Sequence, residues 1–280
     1  MNEISTRVLL ESMVRADATL GTGDLYAVGN ALGMTDQQVR LCIRRAVTDG
    51  QFTQEGRGRR AVLRATAALR RTLDPDVEFV RYAYEQDAGH APWDGRWHLV
   101  AFAIPESLRP ARDAMRDGIV RLGGAPIQGG LYASANPWES HVTTLVAELD
   151  VAQHVSQLTT TDLTVGGHTA PQQIAARLWP LEDIAARHRR LLELTHTRYA
   201  ALRDAPPGTE RLRIGIELAT EFTRAMEPDP LLPPELLPQP WIGATARAAF
   251  AQCWALLSEL ADDTAPALFT RYRDALEGRP

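Results

Sequence analysis

TDQQVRLCIRRAVTDGQFTQEGRGRRAVLR, running from Thr35 to Arg64, is the stretch on which the fold turns. Thr35 followed three residues later by Gln38 is the capping-box pattern, so a helix is expected to start here. Val39, Cys42, Ile43, Ala46 and Val47 recur at helical spacing on one face. Gln37, Arg40, Leu41, Arg44 and Thr48 fall on the other, with Arg45 at its flank, and Gly50 stops the helix. Gln51-Phe52-Thr53-Gln54 and Arg59-Arg60-Ala61-Val62-Leu63-Arg64 then read as two short strands around a turn at Glu55-Gly56-Arg57-Gly58, a basic hairpin.

Upstream, Ile4, Val8, Leu9, Ser12 and Met13 give a first helix an apolar stripe, broken at Gly21 and Gly23. Asp24 is then expected to cap a short helix, Leu25 to Leu32, which Gly33 ends. Helix, short helix, three-residue turn, basic amphipathic helix and basic hairpin together spell a winged helix-turn-helix over 1–73. Its second helix would enter the major groove of double-stranded DNA, and the hairpin would lie on backbone or minor groove.

Charge is concentrated in the same place. The 280-residue chain has a net charge of -5 and no lysine, so every base outside its histidines is arginine. Residues 40–71 carry 9 arginines against 2 acids. An acidic chain with one short basic stretch has a local site for a polyanion, not a general affinity for one. The plainer alternative is a solvated helix face. Thr35, Gln37, Gln38, Arg40, Arg44 and Arg45 are the candidates on the helix; arginine suits the guanine edge and glutamine the adenine edge. Arg57, Arg59 and Arg60 on the wing suit phosphates, which orient the head without specifying sequence. Arg59→Ala is then expected to weaken binding to all sequences alike and to lower the salt slope by about 1.

Past a connecting helix and linker at 74–92, rich in Gly, Pro and His around Ala88 to Pro92, the period changes. Arg96 to Ile104 reads as a buried strand, Pro110 to Leu122 as an amphipathic helix, and Gly130 to Ser134 as a second strand. Pro137 to Glu148 reads as a helix and Val155 to Val165 as one long strand or a pair. This alternation over 93–168 suggests a small α+β sandwich of the split βαβ type. From 169 to 280 the pattern is almost all helical, with stripes over Leu181 to Arg203, Glu210 to Met226, Ala244 to Leu260 and Pro266 to Leu276. The prolines between Pro228 and Pro240 exclude a regular helix there, and the leucines among them imply that the segment packs down on something.

Apolar residues at 45% and charged residues at 23% exclude a mainly disordered chain. The longest apolar runs, such as Leu99 to Ile104, fall far short of the ~20 residues a bilayer span needs, and the N-terminus lacks a signal layout, which points to the cytoplasm and no membrane partner. Two cysteines, Cys42 and Cys253, exclude a disulfide framework and a four-cysteine zinc site. His188 and His196 are too far apart for a metal pair, and His90 and His98 flank the PWDG turn without an acidic or thiol partner at metal-site spacing. No nucleophile elbow, Gly-rich phosphate loop or P-loop is visible, so neither an enzyme nor a nucleotide cofactor is expected.

PWDGRWHLVAFAIPE (Pro92 to Glu106), GLYAS (Gly130 to Ser134) and DPLLPPELLPQPWIG (Asp229 to Gly243) resemble the PaaX family, and TDQQVRLCIRRAVTDG with GRGRR resembles that family's DNA-binding head. The resemblance covers essentially the whole chain in the same order. It implies a homodimeric transcriptional repressor with a winged N-terminal domain, a ferredoxin-like central domain and a helical C-terminal domain, released from its operator by an aryl-acyl-CoA thioester such as phenylacetyl-CoA. Such an effector needs arginines for its phosphates and an apolar, aromatic pocket for its acyl group. Arg96, Trp97, Tyr132, Trp138, Arg177, Trp179 and Trp241 are the candidates, with core packing as the alternative for each tryptophan. Other readings are a metabolite-sensing activator or partner-recruiting protein, and a metal-dependent nuclease. The last follows because the family's middle domain is similar to a small CRISPR-associated nuclease. That enzyme's metal chemistry needs an aspartate at the end of the first strand, where this chain has Ala101-Phe102-Ala103-Ile104-Pro105.

Overall fold

The computed structural model describes residues 6–15, 17–67, 69, 77–204 and 206–259. The expected start of the first helix at Ile4, most of the helix from Ala65 to Leu73, and the helix Pro266 to Leu276 lie outside the described residues. The fold is mixed α and β, with two small antiparallel sheets among the described residues. By internal packing the chain divides into two compact units. One joins the chain up to Tyr84 with Arg189–Thr223 and the segment from Thr245; the other joins Glu85–His188 with Arg224–Ala244.

The first unit opens with α1 (Thr6–Ser12), β1 (Thr19–Gly21), α2 (Thr22–Ala31), α3 (Asp36–Thr48), β2 (Phe52–Glu55) and β3 (Val62–Ala65). The strands form one sheet in the order β1-β3-β2, with Leu20 opposite Leu63 and Thr53 opposite Arg64. Strand β1 has no counterpart in the sequence reading, because three residues are too few to show a period. Helix α2 starts earlier than expected, with extended Gly21 as its N-cap, and Asp24 sits in the first turn without capping. Asp24 instead pairs with Arg15 at 2.7 Å. The earlier start follows from Thr22, which is buried and whose hydroxyl donates to the carbonyls of Gly58 and Ala61, both at 2.8 Å. Those bonds fasten the head of α2 to the hairpin. Leu9, Leu25, Val39, Phe52 and Leu63 fill the core between the three helices and the sheet.

Helix α4 (Val77–Asp87) follows. The second unit then runs β4 (Trp97–Phe102), α5 (Arg109–Arg121), β5 (Ala125–Gln128), β6 (Leu131–Ser134), α6 (Glu139–Glu148) and β7 (Val155–Thr160), a β-α-β-β-α-β sequence in strand order β5-β6-β4-β7 with every neighbour antiparallel. Strand β5 was not legible, since Pro126 argues against a strand; its place on the sheet edge, with a register shift between Pro126 and Gln128, is where proline is tolerated. Strand β7 ends at Thr160, and Val165 pairs only with His168 in an isolated bridge. Val100, Met115, Ile119, Tyr132 and Val142 form one core of this unit.

A second core holds Trp97, Ala125, Ile174 of α7 (Pro171–Leu178) and Trp179, and it is closed by Leu232 and Leu236 of the proline-rich segment. The expected packing of those leucines is thus met. The segment is pinned by its backbone: the Leu231 carbonyl accepts from the side-chain amides of Gln86 and Asn136, both at 2.8 Å. Asp229 at its start pairs with the buried ring of His188, Nε2 to Oδ2 2.7 Å, and accepts from the Leu231 amide.

Among the described residues three long helices remain: α8 (Leu181–Arg203), α9 (Gly208–Met226) and α10 (Ile242–Glu259). Within the first unit Arg198 of α8 forms an ion pair with Glu217 of α9 at 2.8 Å, and Phe222 of α9 stacks on Phe250 of α10, which stacks on Trp254. Ile216 of α9 is fully buried in the same core as Leu9 and Val39. Cys253 lies in this packing, and burial pushes its thiol up to about 12, so it stays a protonated apolar group.

Candidate nucleic-acid interface

Helix α3 carries the arginines because its two faces are chemically separate. Val39, Cys42, Ile43 and Ala46 are buried, as their spacing requires. Gln37, Arg40, Leu41, Arg44, Arg45 and Thr48 are exposed. The helix starts with the expected capping box: Gln38 donates its backbone N–H to the Thr35 hydroxyl at 3.3 Å, and Thr35 donates its own to the Gln38 side-chain oxygen at 2.8 Å. Thr35 and Gln38 therefore spend their polar atoms on starting the helix. A cap of this kind stabilises by roughly 1 kcal/mol. Gly29 lets α2 approach α3, since a Cβ there would stand 2.7 Å from Val39 Cγ2.

The wing is fastened to the start of α3. Arg59, in the short 3-10 turn Gly58–Arg60 between β2 and β3, donates to Asp36 at 2.7 Å and lies over the Tyr26 ring with 4.7 Å to its centroid. Asp36 also accepts from the Asn30 side chain; that bond first, then Arg59, holds its carboxyl below the usual range. Arg59 is thus a strut between wing, α2 and α3. Among the described residues no carboxylate lies within ion-pair reach of Arg40, Arg44, Arg45, Arg57 or Arg60. Five exposed guanidinium groups without an ion-pair partner make this a locally positive surface. One feature went unread in the sequence as a site: Leu41 sits on this outer face, 45% exposed. Its periodicity was plain, but only burial shows that no core claims it.

The seven effector candidates are not brought together. Trp97 and Trp179 stack in one core at 6.3 Å, with the Trp179 indole donating to the Gly123 carbonyl at 2.9 Å. Tyr132 and Trp138 belong to the other core of the second unit. Trp241 packs edge-on to His188 beside Ile184 and Ala185. Arg96 and Arg177 are exposed. Of these, Tyr132 lines an open cleft at the end of β4, where Phe102 stacks on it at 5.5 Å and Arg112, Asp113 and Arg116 also line the space.

His98 has two acidic partners, Asp94 four residues upstream and Glu139, which spacing did not reveal. Its buried ring faces Glu139 through Nδ1 at 2.5 Å and Asp94 through Nε2 at 3.2 Å. Burial works against ionisation of Glu139, but hydrogen bonds from His98 and from the Glu139 and Trp138 amides outweigh it and lower its pKa. The pair ties the PWDG turn to the start of α6. No group of three metal-ligating side chains forms among the described residues, and no described helix is long and apolar enough to cross a membrane.

Residues 90–175 match the family described as PaaX protein central Cas2-like domain, and residues 179–267 match PaaX-like protein C-terminal domain. The chain is 26% identical over 242 residues to Transcriptional repressor PaaX of Escherichia coli (strain K12), over 85% of this chain and 74% of that one. Its fold is similar to that of an uncharacterized protein, Rv0674, from Mycobacterium tuberculosis, with a TM-score of 0.55 and 22% identity over 94% of this chain and 99% of the other. The two family matches adjoin one another across more than half of the sequence, and the relative extends the likeness toward the N-terminus. On these grounds the chain belongs to the PaaX family of transcriptional regulators.

Proposed function

We propose that this protein is a DNA-binding transcriptional repressor, acting in the cytoplasm as a homodimer and without enzymatic activity. In this reading residues 1–73 are a winged helix-turn-helix head. Helix α3 enters the major groove with Gln37, Arg40 and Arg44 toward base edges, and Arg57 and Arg60 neutralise phosphates. The observation that carries it is the row of exposed arginines on α3 that no described carboxylate neutralises, beside a wing held to that helix by Arg59. Two heads in a two-fold dimer would meet inverted half-sites. The β-α-β-β-α-β order of the second unit supports a ferredoxin-like central domain over 93–168, followed by the helical domain from 169 to 280.

The effector is read as an aryl- or acyl-CoA thioester. A ligand weakens operator binding only by its differential affinity for the two states of the dimer, so a 10- to 100-fold release needs ~1.4–2.7 kcal/mol. The cleft beside Tyr132 supports this reading with its aromatic lining and with Arg112 and Arg116, which a phosphorylated tail would have to draw from Glu106 and Asp117. The deciding experiment is a fluorescence-anisotropy titration of DNA from upstream of the protein's own gene, with and without phenylacetyl-CoA, at two salt concentrations. Tight, salt-sensitive binding released by the thioester supports repressor and ligand class together. Binding indifferent to it keeps the regulator and removes the ligand, and no specific binding at either salt removes the assignment. Footprinting against the core promoter separates a repressor from an activator.

The wing arginines are expected to differ. Arg60→Ala should weaken binding to operator and random DNA equally and lower the salt slope by about 0.9, the share of one phosphate. Arg59→Ala should lower the slope less, because Asp36 already offsets that charge. Salt slopes of the two variants that fall equally would count against the strut.

A further inference from the structure

We infer that Leu41 reads a thymine in the operator through that base's 5-methyl group; this rests on the DNA-binding reading of α3. Single exposed apolar side chains are ordinary on protein surfaces, so exposure alone says little. The position is what matters. Gln37, Leu41, Arg44 and Thr48 follow one another at four-, three- and four-residue steps and form the central row of the outward face. Leu41 is the apolar member of that row, between a base-edge amide and a base-edge guanidinium, and 45% of it is exposed. The core beneath is complete without it, since Val39, Cys42 and Ile43 are 0%, 4% and 8% exposed.

Every base-pair edge in the major groove presents hydrogen-bond donors and acceptors, and the apolar group among them is the thymine methyl. A leucine held over any other edge would strip water from polar atoms and give back no hydrogen bond, which disfavours those sequences. Over the methyl it buries carbon against carbon. Leu41 therefore supplies discrimination of a kind that Gln37 and Arg44 do not: thymine is separated from cytosine at the position between their contacts.

The test uses the full chain and a duplex enriched by it from a random library, with each thymine replaced in turn by deoxyuridine, which removes the methyl alone. The wild-type protein is expected to lose affinity about 4-fold at one thymine per half-site, the worth of one buried methyl group. Leu41→Ala, which keeps a good helix former in α3, should lose affinity on the thymine duplex and become indifferent to deoxyuridine there, so the two losses are not additive. Equal loss by Leu41→Ala on both duplexes, or wild-type affinity untouched by every deoxyuridine, overturns the inference while leaving DNA binding intact. A change in the oligomeric mass of Leu41→Ala, read by sedimentation, would reassign the side chain to a contact between copies. Failure to enrich any duplex above the starting library overturns the DNA-binding reading and this inference with it.

Discussion

The protein carrying Arg40→Ala together with Arg44→Ala is expected to lose most of its preference for the operator over random DNA. A good bidentate contact to a base edge discriminates by about 1–3 kcal/mol, so the two arginines together account for roughly 2–6 kcal/mol. That is most of the margin of ~4–10 kcal/mol separating specific from non-specific binding in such proteins. The fold has little to lose from the change, since both side chains are exposed, neither pairs with a described carboxylate, and alanine favours the helix. Anisotropy titrations on the operator and a scrambled duplex should draw close together, while the circular-dichroism melt stays near that of the wild type. Retained discrimination by the double variant would show that base reading rests on residues other than Arg40 and Arg44.

Gly130→Ala is expected to cost the second unit roughly 3 kcal/mol or more, among the largest effects available to one added carbon. A Cβ at this position would stand 2.0 Å from the Phe102 carbonyl oxygen, and the same carbonyl group's carbon would be 3.2 Å away. The obstacle is backbone, so no rotamer relieves it. The strands β4 and β6 must separate, and that loosens the bond from the Phe102 amide to the Gly130 carbonyl at 3.0 Å. The neighbouring Gly129 is the control: its φ of +56° is left-handed, but nothing lies within 4 Å of its missing Cβ. Asparagine tolerates that conformation, so Gly129→Asn should cost about 1 kcal/mol or less. In thermal unfolding Gly130→Ala should lower the midpoint by about 6–12 °C, at 2–4 °C per kcal/mol, and Gly129→Asn by a few degrees at most. Equal midpoints for the two variants would mean that the strands yield more easily than the geometry indicates.

The parts of the head that were legible share one physical cause, local repetition. The capping box at Thr35 and Gln38, the buried row of Val39, Cys42, Ile43 and Ala46, and the hairpin around Gly56 and Gly58 are each determined within a few residues of themselves. The start of α2 was misread because Thr22 is placed by carbonyls of Gly58 and Ala61, more than thirty residues downstream. Strand β5 was missed because Pro126 vetoes a strand everywhere except at an edge, and edge position is a property of the sheet. The pairing of His98 with Glu139 escaped for a related reason: Glu139 lies 41 residues away in sequence and reaches the ring only because α6 begins beside β4.

What the sequence determined by itself was therefore the kind and order of the longer elements, the outward arginine face of α3, and the family, since periodicity, caps, charge and motif are carried by neighbouring residues. What only the tertiary structure decided was where those elements spend their surfaces. Ile216 of a helix near the C-terminus is buried in the core of the N-terminal head, and Leu232 and Leu236 close a core built around Trp97. Arg59 is committed to Asp36 while Arg57 and Arg60 are not, and Leu41 is left over by a core already full. Apolar periodicity says that a face must be covered, but the hydrophobic effect is non-directional. The identity of the covering surface is set by shape and long-range hydrogen bonds, which exist only once the chain has folded.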